Sequence, residues 1–363
     1  INNIGAGGGS IAYVDEGGAF QVGPQSAGSQ PGPAAYGKSG DEPTVTDANL
    51  VLGRLDKDNF LGGEMALDES AAYSVIDKLA QSLGVETREA AEGVLTIVNS
   101  NMANAIRTRT IQRGLDPREF SLVAFGGAGP LHGAEVAAML EIPEVIIPPH
   151  PGITSSTGLL TTDLMYEQFK TEFQVQGTMD LDRLRGDFEH LEHMLIQQYA
   201  REGLARSQVR LARSGDLRYV GQGYELRAEI PDGHLGAEAL DEVWRAFHQM
   251  HKSGYGHHFP NSLIEIVNIR VTGVGEVPGI GLPSPEFGAS LDTARVKSGD
   301  CLFRVDDKLQ TFETAHYRRA GLPAEVAIPG PAVILQRDTT IVVPPGWSAC
   351  AESSGNIIIR NKG

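Results

Sequence analysis

The stretch Phe120-Ser121-Leu122-Val123-Ala124-Phe125-Gly126-Gly127-Ala128-Gly129-Pro130-Leu131 decides the fold class. Phe120 to Phe125 reads as an apolar strand, and the residues from Leu131 to about Leu140 read as a helix. Val145-Ile146-Ile147, closed by Pro148-Pro149, reads as a second strand. Strand, glycine loop, helix and strand make an α/β unit. Pro130 suits a first helical turn, where its missing N–H removes no bond. The free N–H groups of a helix start, beside glycines without side chains, offer a natural place for a nucleotide to lie. Glycines that serve only close packing of strand on helix are the alternative.

Upstream, Ala72, Val75, Ile76, Leu79 and Leu83 recur with helical period until Gly84. A second helix follows Thr87, a candidate N-cap, and runs towards Gly114. Both helices are expected to pack on a sheet. Residues 1 to about 65 read as a hairpin around Glu16-Gly17-Gly18 followed by a long ordered loop. Downstream, Leu184, Phe188, Leu191, Leu195 and Tyr199 mark a long amphipathic helix. Strands are expected at Val209–Leu211, Tyr224–Ile230 and Ile264–Val271, with a helix through Leu240, Val243, Trp244 and Phe247. From about Ala294, short β-type runs such as Ala332–Leu335, Thr340–Val343 and Ile357–Ile359 alternate with Gly/Pro turns.

The 363 residues carry 41% apolar and 21% charged side chains, so the chain can bury a core and disorder is a poor reading. A formal net charge of −16, with no basic stripe, argues against a nucleic-acid or anionic-membrane partner. No apolar run reaches membrane-spanning length. Cys301 and Cys350 stand far apart without metal-ligand spacing, which fits a cytoplasmic protein. The chain opens Ile1-Asn2-Asn3-Ile4 straight into glycines, as expected of a fragment or processed product.

Gly32 to Ser39 satisfies the phosphate-loop pattern G-x-x-x-x-G-K-[ST], but no apolar strand precedes it, no helix follows it, and Pro33 has no N–H to offer. The match is read as accidental. Gly5-Ala6-Gly7-Gly8-Gly9-Ser10 could cradle phosphate or be a tight glycine turn with no ligand. Asp47, in Thr44-Val45-Thr46-Asp47-Ala48-Asn49, could touch metal or substrate, or could cap a short helix. His248 and His251 would need a further ligand to hold a metal; solvent-facing histidines at a helix end are the alternative.

Taken together, several segments resemble the hydantoinase A / oxoprolinase family. They are Gly5 to Ala12, Val22-Gly23-Pro24, Ser26-Ala27-Gly28, Pro31-Gly32-Pro33, Tyr36-Gly37, Pro43 to Asn49 and Ala124 to His132. Arg218-Tyr219, Gly221-Gln222, Tyr224-Glu225-Leu226, Phe247-His248, His251, Tyr255-Gly256, Gly330-Pro331-Ala332 and Pro344 to Trp347 resemble its C-terminal region. The likeness spans nearly the whole chain. Ala35 stands where the family often has Cys, which excludes a cysteine nucleophile there, and Gly133 where it often has Ala.

The resemblance implies an α/β fold: part of an actin-like ATPase / sugar kinase (ribonuclease H-like) domain over 1–165, an α+β region over 166–290, and a small β-rich terminal domain over 291–363. It implies ATP and Mg²⁺ as cofactors, with Gly126, Gly127, Ala128 and Gly129 on the adenosine side. Gly7, Gly8 and Gly9 are further ATP-binding candidates, Asp47 is the catalytic candidate, and the metal ligands are unassigned. The family's phosphate-binding glycine and aspartate segments are expected upstream of Ile1, so the fragment alone is expected to be inactive. The implied activity is ATP-dependent hydrolysis of cyclic amides, since phosphorylating the carbonyl oxygen of a resonance-stabilised ring amide creates a leaving group. A subunit of an ATP-dependent ketone carboxylase is the alternative, and a non-catalytic fragment that holds a partner is a third. A hydantoinase B type subunit and an oligomeric assembly are the implied partners.

Overall fold

In the computed structural model, which describes residues 3–233, 235–279 and 285–361, the first elements form where the sequence alternates. Strands β1 (Ser10–Val14) and β2 (Phe20–Ser26) pair as an antiparallel hairpin. Helices α1 (Val45–Val51), α2 (Glu69–Leu83) and α3 (Thr87–Arg109) follow. Asp68 caps α2 by accepting the Ala71 N–H, and Gly84, at φ 69°, ends it in the left-handed conformation that glycine enters freely. Thr87 is the first helical residue of α3 rather than its cap; its hydroxyl donates to Asp77 at 2.7 Å. The three helices and the hairpin share one core through Ala12, Val22, Val45, Ile76, Leu95 and Val98.

The deciding stretch gives strand β3 (Leu122–Val123), helix α4 (Gly129–Met139) and strand β4 (Glu144–Ile147), with β3 and β4 parallel. The strand is shorter than 120–125 because only its middle is paired: Phe120 and Phe125 are exposed. Close packing of helix on strand falls to Gly133, where a Cβ would stand 2.9 Å from the Ala124 Cβ.

Helix α5 (Thr154–Thr161) leads from the first of two compact units into the second, Gly158–Gly281. The second unit contains β5 (Leu164–Val175), α6 (Leu181–Arg201), β6 (Val209–Tyr219), β7 (Leu226–Ile230), α7 (Ala237–Tyr255) and β8 (Ile264–Gly275). Its antiparallel sheet has the order β5-β8-β6-β7. The apolar stripes of α6 and α7, with Phe188, Leu195 and Phe247, bury in one core with Ile266 and Ile269 of β8.

The chain then forms β9 (Arg295–Val305), β10 (Lys308–Arg318), β11 (Ala327–Pro329), β12 (Ala332–Gln336), β13 (Thr339–Val343), β14 (Trp347–Ala351) and β15 (Ile357–Asn361). They build two sheets, of order β13-β12-β10-β9 and β11-β14-β15-β4-β3. β15 lies antiparallel to β4, Ile358 opposite Ile146. The β-rich terminal segment is therefore not a separate body over 291–363 but joins Ile1–Thr157 in the first unit. Val145, Ile147, Ile334, Trp347 and Ile359 bury in a single core with Ala134 and Ala137 of α4, which makes separation costly. The fold is mixed α/β with several sheets. Among the described residues no helix is long and apolar enough to cross a membrane.

Candidate functional site

The two glycine loops meet. A cavity of about 280 Å³ in the first unit, just below the ~300–1,000 Å³ usual for small-molecule sites, is lined by Gly8 and Gly9 of the first loop and Gly127 and Ala128 of the second. Tyr36, Leu55, Phe60, Leu61 and Leu131 make its apolar wall. Thr46 and the turn Gln336 to Thr340, between β12 and β13, supply polar groups. Gly7, Gly126, Gly129 and Asp47 are not among its lining residues.

Each loop is fixed through its carbonyls, which leaves donors over. Gly8 O accepts both the N–H of Thr46 (2.8 Å) and its hydroxyl (2.9 Å), while Gly127 O accepts the Thr339 hydroxyl at 2.9 Å. Gly126, at φ 85°, turns the chain and donates its N–H to Pro151 O. Among the described residues the N–H groups of Gly8, Gly9, Gly127, Ala128 and Gly129 meet no acceptor. Those of 128 and 129 belong to the start of α4, where the helix dipole favours an anion. A Cβ at Gly127 would meet nothing closer than Asp338 O at 3.8 Å, and one at Gly126 would meet nothing, so packing of strand on helix does not account for these glycines. At Gly8 the Cβ would stand 2.9 Å from the Thr46 hydroxyl, so close approach requires glycine there.

Asp47 is a fastener. Its carboxylate is fully buried and accepts from Ala35 N (2.7 Å), Ala34 N (3.4 Å), Thr44 N (2.9 Å) and the Thr44 hydroxyl (2.7 Å). With the Asp47 N–H returning to Thr44, this is a capping box. Burial raises its pKa against the pull of these bonds. The metal- or substrate-binding reading of Asp47 gives way to the capping one, because every nearby donor is already the protein's own. Asp47→Ala is expected to lower stability by about 2–4 kcal/mol in urea unfolding, since it orphans buried N–H groups as well as a cap.

The same bonds dispose of the phosphate-loop match. The N–H groups of Ala34 and Ala35 go to Asp47, those of Tyr36 and Gly37 turn back to Pro33 O and Ala34 O, and Lys38 is exposed. Four consecutive N–H groups of the match are thus already taken by the protein itself.

Arg54 ties the end of α1 to α3 and α4. Following α1, it is 1% exposed and pairs with Glu135 of α4 at 2.8 Å and Glu92 of α3 at 3.2 Å, while its Nε donates to Leu302 O. Asn99 donates to Glu135 at 2.7 Å and accepts from His132 Nδ1 at 2.8 Å; burial holds His132 neutral, its pKa down at about 4. Burial pushes Glu92 up to about 7, with Glu135 and Glu89 adding to the rise and Arg54 and Arg304 opposing it. A carboxyl whose folded pKa exceeds its ordinary 4.5 keeps its proton in the folded chain while the unfolded chain releases it, so stability falls as pH rises from about 4.5 to 7. Glu92→Gln is expected to remove that contribution, of order 3 kcal/mol at ~1.4 kcal/mol per unit, from urea unfolding compared at pH 5 and 7.5.

In the second unit His251 is fully buried and both its ring nitrogens are engaged. Nδ1 donates to His257 O at 2.7 Å, and Nε2 accepts from the Gln222 amide (3.0 Å) and the Tyr224 hydroxyl (3.3 Å). It is neither a metal ligand nor solvent-facing. The Tyr219 hydroxyl accepts the Phe259 N–H and donates to His248 Nδ1 at 2.7 Å. Among the described residues no group of three His, Cys, Asp or Glu side chains is placed to hold a metal ion, so these residues do not by themselves make a magnesium site.

Residues 1–168 match the hydantoinase/oxoprolinase family model and residues 174–355 match the model of the hydantoinase/oxoprolinase C-terminal domain. The chain belongs to the hydantoinase/oxoprolinase family. Among family members, the caprolactamase subunit alpha of Pseudomonas jessenii is 36% identical over 98% of this chain and 51% of its own length. The acetophenone carboxylase gamma subunit of Aromatoleum aromaticum is 34% identical over 99% and 50%. The crystal structure of the ATP-dependent caprolactamase from Pseudomonas jessenii superposes with a TM-score of 0.83 at 34% identity, covering 100% of this chain and 53% of that one. The chain thus spans about half the length of these relatives.

Proposed function

We propose that the chain is the nucleotide-binding part of an ATP-dependent enzyme that hydrolyses cyclic amides. One observation carries this reading: two glycine loops with unbonded N–H groups meet at one cavity that also has an apolar lining. The N–H groups of Gly8, Gly9, Gly127 and Ala128, with that of Gly129 next in the chain, suit phosphate or ribose oxygens, and Tyr36 with Phe60, ring centroids 5.7 Å apart, suits a flat base. ATP, when bound, supplies the phosphoryl group that makes an amide oxygen a leaving group. The chain's own part is to orient it: backbone donors fixed through Thr46 and Thr339 do not reorganise as charge develops, and the apolar wall keeps water out. Mg²⁺ enters this reading as the nucleotide's counter-ion alone. That the caprolactamase and acetophenone carboxylase relatives are named as subunits supports a partner subunit, which this reading takes to be of the hydantoinase B type in an oligomer located in the cytoplasm.

The acetophenone carboxylase subunit, nearly as similar as the caprolactamase subunit, supports a second reading as part of an ATP-dependent ketone carboxylase. ATP turnover by the full-length protein with its partner separates the two. Stimulation by caprolactam, hydantoin or 5-oxoproline supports the first, stimulation by acetone or acetophenone with bicarbonate supports the second, and no ATP binding at all rejects both. In the same preparation Lys38→Ala is expected to leave ATP affinity within about threefold; a ~100-fold loss, ~2.7 kcal/mol, would restore the phosphate loop.

A further inference from the structure

A second cavity of the first unit, about 420 Å³, opens beside Arg319, which follows β10. Its walls are largely apolar, from Pro149, Pro285, Phe287, Ala320 and Ala351, with His150 and Glu286 also contributing. Gln336 lines both this cavity and the one between the glycine loops. Arg319 donates to Gln336 Oε1 (2.7 Å), Gly355 O (2.8 Å) and Ile147 O (3.3 Å), all neutral acceptors. Gln336 is itself held by donating to Pro149 O at 2.8 Å, so the guanidinium sits in a fixed frame.

Among the described residues no carboxylate lies within ion-pair distance of Arg319. A guanidinium has five N–H donors, and these bonds use three. A half-buried cation without a counter-ion is unfavourable, and burial lowers its pKa to about 10 even though Asp338 pulls the other way. The frame thus holds a cation with donors to spare, at the wall of an apolar cavity.

We propose that this cavity binds the carboxylate of a small organic acid, with Arg319 as its counter-ion and the apolar walls around the body of the acid. An Arg–carboxylate contact is charge-assisted and strengthened by the low-dielectric surroundings. An inorganic ion such as phosphate would leave the walls of Phe287 and the prolines unfilled.

The test is a ligand-observed NMR titration of the intact protein with cyclopentanecarboxylate, cyclopentanecarboxamide and inorganic phosphate. The acid is expected to bind saturably and at least tenfold more tightly than the isosteric amide or phosphate. Arg319→Gln should weaken the acid at least tenfold and leave the amide unchanged. Ser354→Trp, which fills the cavity from an exposed lining position and leaves every Arg319 bond in place, should abolish binding even if Arg319→Gln fails to fold. No binding of the acid, equal binding of acid and amide, preference for phosphate, or acid binding untouched by Ser354→Trp would overturn the proposal.

Discussion

Gly127→Val is expected to weaken ATP binding by about 100-fold or more, ~2.7 kcal/mol, while shifting the thermal midpoint by no more than about 4 °C. The split follows from what surrounds the position. A Cβ there stands 3.8 Å from Asp338 O, an ordinary contact, and meets no other atom within 4 Å, so the fold accommodates it. The larger side chain then projects into the cavity that Gly127 lines, occupying ligand space and shielding the N–H groups at the start of α4. Gly133→Leu is the contrasting variant. Its side chain would press on Ala124 and Val145, where even a Cβ stands at 2.9 and 3.1 Å. It should cost about 1–3 kcal/mol or more through overpacking and leave the affinity of the folded fraction unchanged. Thermal unfolding and ATP titration on both proteins check the pair. A Gly127→Val protein that is folded and binds ATP normally would remove this loop from the site.

Arg54→Met should be the most destabilising single change away from the glycine loops, at about 3–5 kcal/mol in urea unfolding at pH 7.5. It leaves the buried Glu92 and the partly buried Glu135 without that cation, and among the described residues only Arg304, 3.7 Å from Glu92, remains within ion-pair distance of either. The loss reflects orphaned charge rather than the net worth of the ion pairs. Adding Glu92→Gln and Glu135→Gln to Arg54→Met should therefore recover part of it, and lowering the pH towards 5, where Glu92 is protonated, should narrow the gap between variant and parent. A cost below about 1 kcal/mol would mean that water reaches the network and solvates it.

How much of this was legible in the sequence depends on whether the signal was local. The glycine loop, Pro130 and the α4–β4 pair were readable because turn chemistry and apolar runs sit side by side. Ile357 to Ile359 read as a strand for the same reason, but its partner did not: pairing with β4 joins segments more than half the chain apart, and nothing in either strand names the other. β5, most of β6 and the β9–β10 hairpin escaped notice because their open faces carry charged residues. On β5, β6 and β8, Glu167, Asp216 and Arg270 satisfy one another across strands, so the alternation lacks a clean apolar half. Asp47 was ambiguous in principle, since a capping aspartate and a ligand aspartate share the same letters and only burial and donors separate them. Thr46 was in view as a letter but not as the residue that holds Gly8. Arg319 and Gln336 belong to no motif; their meeting is made by the folding of β10 and β12 into one sheet.

The central claim is that the two glycine loops enclose one nucleotide site. A crystal structure of the protein with a non-hydrolysable ATP analogue tests it most directly. The account requires the analogue between the loops, with its phosphate or ribose oxygens about 3 Å from N–H groups of Gly8 or Gly9 and of Gly127, Ala128 or Gly129, and its base against Tyr36 and Phe60. An analogue bound elsewhere in the molecule, or touching only one of the loops, would contradict it.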